Sequence, residues 1–310
     1  MTQAVEIAIP TPGGERIAAT HHRADDDALA LTAGRPCIVM AHGVGATRDC
    51  GLSAFAESFA TAGADVVAFD YLHFGESSGL PRQLVSIRSQ LADYHTVIGH
   101  ARGLPGIDPR RIIVWGVSLS GGHVIKVAAR DPAIAAVVSL TPAVDGLAAV
   151  AQMAKTNELV YIARLLGQGL SDVSAALRRR PPVLAPIVGS PGQIAALNAS
   201  GSFENMLAIA GPSWQNAMAA RIFLSIGTYR PGRLGAKITC PVLMQIADHD
   251  QSAPAGAATR TATTTKATVH HYPCDHFDVY AGASFHEHVL ADQIAFLRRI
   301  CSPADHKVSQ

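Results

Sequence analysis

Short apolar runs alternate along the chain with longer segments in which apolar residues recur every three to four positions. Several of the runs are apolar throughout rather than alternating, which is typical of parallel strands covered on both faces. The runs occupy residues 37–43, 65–70, 111–116, 135–140, 241–248 and 267–272. This succession of strands and helices predicts an α/β fold with a mostly parallel, doubly wound sheet.

Helical segments lie between these strands, at residues 53–62, 86–101, 120–130 and 285–300. The turn IDPRR at residues 107–111 is predicted to connect the second of these helices to a strand, because Pro109 disfavours a continuing helix. The earliest part of the chain differs, since residues 5–9 and 12–22 predict an antiparallel hairpin that leads into the sheet.

The interval from residue 144 to residue 233 contains no strand run of the same quality. Its helical stretches are separated by proline and glycine, and they are too long and too apolar for a simple loop. We interpret this interval as an inserted helical cap over the sheet. The predicted division is therefore 1–143 for the first part of the core, 144–233 for the cap and 234–310 for the second part of the core. The alternative, in which these helices simply continue the core, stays open.

The composition indicates a compact globular protein and excludes several kinds of partner. Hydrophobic residues make up 48% of the 310 positions and charged residues 16%, with a formal net charge of +1. That charge supplies no overall field to attract nucleic acid or an anionic membrane. No apolar segment approaches the ~20 residues needed to span a bilayer, so no stable membrane insertion is expected. The one basic cluster, at residues 178–180, precedes two prolines and predicts a solvated helix end.

The cysteines and the first residues predict a cytoplasmic protein. Five cysteines are scattered along the chain without a CxxC pair, which favours reduced thiols over a disulfide framework. The opening MTQAVEIAIP lacks the basic and apolar regions of a signal peptide.

The fourteen histidines do not follow a metal-binding pattern. The adjacent pairs His21-His22 and His270-His271 are expected to point to opposite faces of a strand. No HExxH motif accompanies them. We therefore expect structural or solvated histidines, with neither a metal nor a cofactor.

The stretch GVSLSGG, residues 116–122, ends an apolar strand with small residues and a central serine. An alcohol is a poor nucleophile at neutral pH, so a catalytic serine needs a base, a group that orients the base and donors for the oxyanion. A sharp strand-turn-helix with small flanking residues would hold the Ser118 hydroxyl out as a nucleophile. The alternative is that the stretch is only a glycine-rich start to a helix. Partner residues elsewhere in the chain decide between a catalytic serine and this alternative.

This stretch resembles the nucleophile elbow of the α/β-hydrolase superfamily, and the resemblance covers nearly the whole chain. The superfamily pattern is GxSxG, whereas this chain has Ser120 in place of the last glycine. The resemblance implies an α/β-hydrolase fold in which Ser118 is the nucleophile. Bacterial proteins described as dienelactone-hydrolase-like or acetyl-xylan-esterase-like are the most similar in overall pattern. The fungal thiohydrolases that release polyketides share the WGxSxSGG form of the elbow.

The same resemblance implies the other two members of a catalytic triad. The sequence DHDQSAP is similar to the superfamily motif GxxDxxxP and makes Asp250 the acid, with Asp248 as the competing candidate. The later loop YPCDHF is similar to the superfamily's YPGGHF and makes His276 the base. His270 and His271 are poorer candidates, because they lie within the predicted strand.

Backbone N–H groups are implied as the oxyanion hole. One belongs to Leu119, directly after the nucleophile, and the other, by resemblance, to Val44 in the loop HGVGATRD. His42 is expected to hold this loop by hydrogen bonding, without a catalytic role. Cys274 lies near His276 in the sequence, so modification of its thiol is expected to block the site.

The resemblance implies, and these residues support, a serine hydrolase that cleaves the carboxylic ester of a small or medium lipophilic substrate through a Ser-His-Asp triad and an acyl-enzyme. Serine at the elbow disfavours the dehalogenases and epoxide hydrolases, which use aspartate, and the dienelactone hydrolases, which use cysteine. A thioesterase that releases an acyl or polyketide chain is one alternative. A non-catalytic, ligand-binding relative is the alternative from another class. The apolar cap is also compatible with a homodimer.

Overall fold

An eight-stranded sheet forms the centre of the structure, a computed structural model that describes residues 3–301. The strands in chain order are β1 (Ala4–Pro10), β2 (Arg16–His22), β3 (Arg35–Ala41), β4 (Asp65–Phe69), β5 (Ile107–Val117), β6 (Ile134–Leu140), β7 (Leu184–Ala185), β8 (Met218–Ala219), β9 (Val242–Ala247) and β10 (Thr268–Tyr272). The two-residue strands β7 and β8 pair with each other outside the sheet. The sheet order is β1-β2-β4-β3-β5-β6-β9-β10.

Parallel pairing extends from β4 to β10, as the apolar runs predict. β1 and β2 form the predicted antiparallel hairpin, and β2 pairs antiparallel with β4. Every residue of β4 and β9 is buried, which explains why these strands show no polar alternation. Because the parallel strands point the same way, the loops after β3, β5, β9 and β10 meet at one edge of the sheet.

Helices cover both faces of the sheet and fill the connections between strands. In chain order they are α1 (Leu52–Thr61), α2 (Ile87–Arg102), α3 (Leu119–Ala128), α4 (Gly146–Thr156), α5 (Leu159–Leu177), α6 (Ser202–Ile209), α7 (Ala255–Thr265) and α8 (His286–Cys301). α1, α2, α3 and α8 lie within one or two residues of their predicted bounds. α2 begins after Ser86, whose side chain accepts a hydrogen bond from the Ser89 N–H.

Two local features differ from the sequence expectation. The stretch 107–111 is not a turn, because it forms the first half of β5, where Ile107 pairs with Arg35. α7 was not predicted, since its threonines have low helix propensity. Several of their hydroxyls bond to a preceding turn, as Thr259 and Thr263 do to the carbonyls four residues earlier.

The segment 144–233 leaves the sheet after β6 and returns before β9, as an insertion at the edge where the strands end. It contains α4, α5, α6, the β7–β8 pair and two short 3-10 helices, at Ala220–Leu224 and Ile226–Thr228, and it ends within a third, Pro231–Lys237. Asp145 caps α4 and also forms two hydrogen bonds with Arg230, at 2.9 and 2.6 Å. This bidentate pair ties the beginning of the segment to its end.

The basic cluster at residues 178–180 follows the end of α5 and is exposed, as predicted. Within residues 3–301, the helices are too short or too polar to cross a membrane.

Candidate active site

The turn between β5 and α3 presents Ser118 at the carboxyl end of the strand. Its backbone has φ 59° and ψ −121°, a combination that residues other than glycine rarely adopt. The Ser118 N–H donates to Leu140 O at 2.9 Å, and the Ala143 N–H donates to Ser118 O at 2.9 Å. A side chain at Gly116 would collide with the backbone of Ser120. The strained turn is therefore held by β6 and depends on a small residue two positions before the serine.

The loop after β3 passes directly over Ser118. A Cβ atom at Gly43 would lie 2.7 Å from the Ser118 Cβ, so glycine is needed for this approach. Val44 and Leu119 both line the cavity that reaches Ser118. Leu119 begins α3, and the first N–H groups of a helix have no acceptor within the helix. The Val44 loop and the first turn of α3 thus flank the serine with backbone N–H groups.

Asp250 and His276 lie in the loops after β9 and β10 and contact each other. The distance from His276 Nδ1 to Asp250 Oδ2 is 2.6 Å. The other carboxylate oxygen accepts hydrogen bonds from the N–H groups of Ser252 at 2.7 Å and Ala253 at 2.6 Å. The His276 and Asp250 side chains are only 4% and 1% exposed. A carboxylate that is fixed by backbone donors and shielded from water is suited to orient an imidazole.

Two opposing effects determine the pKa of His276. Burial lowers the pKa, whereas the charge and hydrogen bond of Asp250 raise it, and the net pKa lies above its ordinary value. Asp275 raises it further and accepts a hydrogen bond from the His276 N–H at 2.7 Å. A raised pKa makes the imidazole a stronger proton acceptor.

The competing candidates form separate pairs on the surface. His271 Nδ1 lies 2.6 Å from Asp248 Oδ1, with side chains 42% and 41% exposed. His270 pairs with Asp292 at 3.0 Å. Of the two candidate acids, Asp250 is the one whose carboxylate contacts His276 in the described part of the chain.

His42 supports the loop that passes over Ser118. The Gly43 N–H donates to His42 Nδ1 at 2.7 Å, and the Tyr280 hydroxyl lies 3.2 Å from His42 Nε2. The rings of His42 and Tyr280 stack with centroids 5.6 Å apart. Burial lowers the pKa of His42 to about 3, so its ring is neutral and serves to pack and bond the loop.

A cavity of about 320 Å³ opens onto Ser118 and is bounded largely by the segment 144–233. Ile222 and Ile226, from the 3-10 helices, contribute apolar surface. α4 presents one face to the cavity, since its lining positions are three or four residues apart: 146, 149, 150 and 153. The cavity is therefore mostly apolar.

A few neutral polar groups also line this cavity. Asn157 and Asn198 do so, and the Asn198 amide nitrogen donates to the Asn157 side-chain oxygen at 2.6 Å. Gln251 and Ser252 are the polar contribution of the loop after β9. Within residues 3–301, the lining includes no Asp, Glu, Lys or Arg side chain. The cavity is thus suited to an uncharged ligand.

The family is established by a match that extends over most of the chain. Residues 32–283 match the family model Hydrolase_4, described as serine aminopeptidase S33. This range contains Ser118, Asp250 and His276. The chain belongs to this hydrolase family.

Sequence relatives of this hydrolase include bacterial and fungal proteins. It is 41% identical over 268 residues to the quorum-quenching protein AidA of Acinetobacter baumannii (strain MDR-ZJ06), which covers 86% of each chain. It is 32% identical over 182 residues to thiohydrolase aneE of Aspergillus aculeatus, which covers 55% of this chain and 54% of the relative.

Solved structures similar to this hydrolase have the α/β-hydrolase fold. The α/β hydrolase GrgF from Penicillium sp. sh18 superimposes with a TM-score of 0.77 at 19% identity, covering 96% of this chain and 99% of that one. Est1E from Butyrivibrio proteoclasticus, with bound ferulic acid, gives a TM-score of 0.64 at 19% identity, covering 96% and 100%. The fold that the sequence predicts is therefore confirmed.

Ser120, which replaces a glycine of the superfamily pattern in this hydrolase, is bonded to two buried tyrosines. The Tyr71 hydroxyl donates to Ser120 Oγ at 3.0 Å, and the Tyr94 hydroxyl lies 2.6 Å from the same oxygen. Because Tyr94 donates its own proton to Trp115 O at 2.8 Å, the Ser120 hydroxyl donates to Tyr94. These bonds join the first turn of α3 to the loop after β4, to α2 and, through Tyr94, to β5.

Sequence reasoning did not find Tyr71 and Tyr94. The available signal was the extra hydroxyl of Ser120, since a buried hydroxyl normally has a hydrogen-bond partner. Nothing in the sequence indicated which residues would supply that partner, because the two tyrosines lie 49 and 26 positions away.

Cys274, whose modification is expected from the sequence to block the site, is a buried thiol. The residue is 3% exposed. Burial raises the pKa of its thiol to about 12. An inaccessible, protonated thiol reacts slowly with alkylating reagents.

Proposed function

We propose that this protein is a serine hydrolase that cleaves a carboxylic ester with a small or medium lipophilic acyl group. The observation that supports this most is the buried Asp250–His276 pair, which lies in the loops at the same sheet edge as the strained Ser118 turn. In such a pair the histidine can act as the base for a serine nucleophile, and the aspartate can orient the histidine.

In the proposed mechanism, His276 accepts the hydroxyl proton of Ser118 as the serine oxygen attacks the ester carbonyl carbon. Asp250 holds the imidazole in its tautomer and stabilises the positive charge that develops on it. The Val44 and Leu119 N–H groups donate to the oxyanion. His276 then gives its proton to the leaving alcohol, which departs and leaves an acyl-serine.

Deacylation repeats these steps with water. His276 accepts a proton from a water molecule, the resulting hydroxide oxygen attacks the acyl carbonyl carbon, and the proton returns to Ser118 as the acid is released. The proposal includes neither a metal nor a cofactor.

The cavity supports a restricted, uncharged acyl group. Its volume of about 320 Å³ is at the lower end of small-molecule sites, which span ~300–1,000 Å³. Its uncharged lining offers no counter-ion for a charged acyl chain. We therefore expect acyl groups of about four to eight carbons to be preferred over much longer ones.

A thioester is the second candidate substrate, because a relative is named as a thiohydrolase. The same serine chemistry applies, with a thiol as the leaving group. Because another relative is named as a quorum-quenching protein, quorum signals are a third class of candidate substrate to assay.

We also propose that residues 144–233 form a cap on a core made of residues 1–143 and 234–310. The segment 144–233 supplies most of the cavity lining, which supports a substrate-binding role for the cap. We propose in addition that the protein forms a homodimer.

The test compares wild type, Ser118→Ala and Ser200→Ala on p-nitrophenyl esters of two, four and eight carbons, and on thioesters of matching acyl length. Ser200 lines the same cavity, so its substitution is the matched control. We expect Ser118→Ala to lose about 10⁴–10⁶-fold in kcat, while the control keeps most activity. Turnover that survives in Ser118→Ala would refute the nucleophile assignment. A wild type that binds these esters without turnover would support the non-catalytic alternative.

A further inference from the structure

Helix α5 has two distinct faces, and one of them packs on the rest of the protein. Its buried residues are Tyr161, Leu165, Gly169 and Asp172, which recur every three or four positions. Asp172 is fully buried and accepts two hydrogen bonds from the Arg221 side chain, at 2.6 and 2.9 Å. This face fixes the helix to the remainder of the segment 144–233.

The other face presents an apolar stripe to solvent. Its members, which we call the α5 stripe, alternate in steps of four and three: Leu159, Ala163, Leu166, Leu170, Val173 and Leu177. Leu159 is 83% exposed, Leu170 62% and Leu177 82%. A 4-3 spacing of apolar residues places all six on one side of a helix, which is the pattern of a helix–helix seam.

The middle of helix α5 carries no exposed charge. Between Arg164 and Arg178 the only charged residue is Asp172, which is buried on the other face. A helix face exposed to water normally has charged residues, and a contiguous apolar patch is typical of an interaction site. The α5 stripe therefore needs a partner.

The stripe is symmetric about residue 168, so it can pair with a second copy of itself. In an antiparallel pair of α5 helices centred there, Leu159 faces Leu177 of the second copy, Ala163 faces Val173, and Leu166 faces Leu170. We propose that a second copy of this chain packs its α5 stripe antiparallel against the first, about a two-fold axis at the level of residue 168. A two-fold interface requires this kind of self-complementary patch.

The charges at the ends of the helix fit the same arrangement. Glu158 precedes α5 and Arg178 follows it, and both are exposed. In the antiparallel arrangement Glu158 of one copy lies at the same level along the helix axis as Arg178 of the other, at both ends of the seam. A parallel pair would instead place like charges at the same level.

The helix surface is also open to close approach beside the two-fold axis. Gly167 is exposed, and a Cβ built there would meet no atom within 4 Å. An interior glycine costs a helix about 1 kcal/mol relative to alanine. Close packing of a second helix at this position explains why a glycine is present here.

The exposed area of the stripe matches that of a small interface. The exposed fractions of its large side chains correspond to about 500–600 Å² per copy, or roughly 1,000–1,200 Å² in total, near the lower limit for specific dimers. We therefore expect a dimer that dissociates in the micromolar range.

The experiment is sedimentation velocity on full-length protein from about 1 to 100 µM. Wild type should approach twice the chain mass of 32.4 kDa as concentration rises. The double variants Leu166→Glu/Leu170→Glu and Leu166→Lys/Leu170→Lys should each be monomeric, because like charges meet across the axis and raise the dissociation constant more than about 100-fold. An equimolar mixture of the two should recover a dimer, because opposite charges then face each other.

The matched control is Leu80→Glu/Leu207→Glu, which makes the same change at two exposed leucines, 83% and 50% exposed, outside the stripe. This control should dimerise like wild type, and all variants should keep the wild-type circular dichroism spectrum. A wild type that is monomeric at 100 µM, or Glu and Lys variants that remain dimeric, would overturn the proposal. Monomeric wild type that co-sediments with phosphatidylglycerol vesicles, while the Glu variant does not, would assign the stripe to a membrane surface instead.

Discussion

Replacing Asp250 by asparagine is the perturbation whose outcome depends most directly on the geometry of the site. Asparagine keeps the shape of the side chain but removes the negative charge 2.6 Å from His276 Nδ1. At that distance and an effective dielectric constant near 20, an imidazolium–carboxylate pair interacts by roughly 6 kcal/mol. Loss of this stabilisation in the transition state corresponds to about four powers of ten in kcat. A similar loss is typical when the acid of such a triad becomes an amide.

The same substitution should also shift the pH dependence of the reaction. His276 must be neutral to accept a proton, so activity falls as the pH drops through its pKa. In wild type that pKa is raised above its ordinary value. Without the Asp250 charge, burial dominates and lowers the pKa, so the acidic limb of the kcat/KM profile should move to lower pH.

The assay is the pH–rate profile of p-nitrophenyl butyrate hydrolysis for wild type, Asp250→Asn and Asp248→Asn. Asp248 makes the same contact with His271 on the surface, where an exposed ion pair has little effect, so its variant should stay within about two-fold of wild type. A large loss in Asp248→Asn, with activity retained in Asp250→Asn, would refute the assignment of the acid. An unchanged acidic limb in Asp250→Asn would refute the pKa argument.

Two further predictions concern buried polar groups, the first measured by thermal unfolding and the second by limited proteolysis. Ser120→Ala removes the acceptor of the buried Tyr71 hydroxyl and the donor to the Tyr94 hydroxyl, which keeps its bond to Trp115 O, at a cost of about 1–3 kcal/mol. Tm should therefore drop by several degrees, and an unchanged Tm would contradict the bonding described. Asp172→Asn removes the negative charge that Arg221 contacts and should lower the local stability of the segment 144–233 by about 2–3 kcal/mol. Because the segment then opens more often, a protease should cleave it faster than in wild type. Uniform protection of that segment in the variant would show that the pair does not hold it.

The strands and main helices could be predicted because their signals are local. A parallel strand buried on both faces must be apolar at every position, so β4 and β9 are visible as runs without knowledge of their neighbours. The stretch at residues 107–111 misled because Pro109 favours a turn locally. In the structure Ile107 and Ile112 pair with Arg35 and Cys37 of β3, and the residues between them, Pro109 included, form an irregularity within the strand.

The chemistry of the candidate site was visible in the sequence as far as it depends on motifs. The small residues around Ser118 follow from the steric needs of a sharp turn, and the order of serine, aspartate and histidine follows from the strands that precede them.

Other features were decided by the tertiary structure alone. Asp248 and Asp250 are two residues apart in the same loop, yet one is exposed beside His271 and the other is buried against His276. Which aspartate turns inward depends on how the loops after β9 and β10 pack together. The partners of Ser120 likewise come from distant segments. Local propensity fixes the elements of this protein, whereas contacts between residues far apart in sequence fix which polar groups meet, because those contacts exist only once the sheet is assembled.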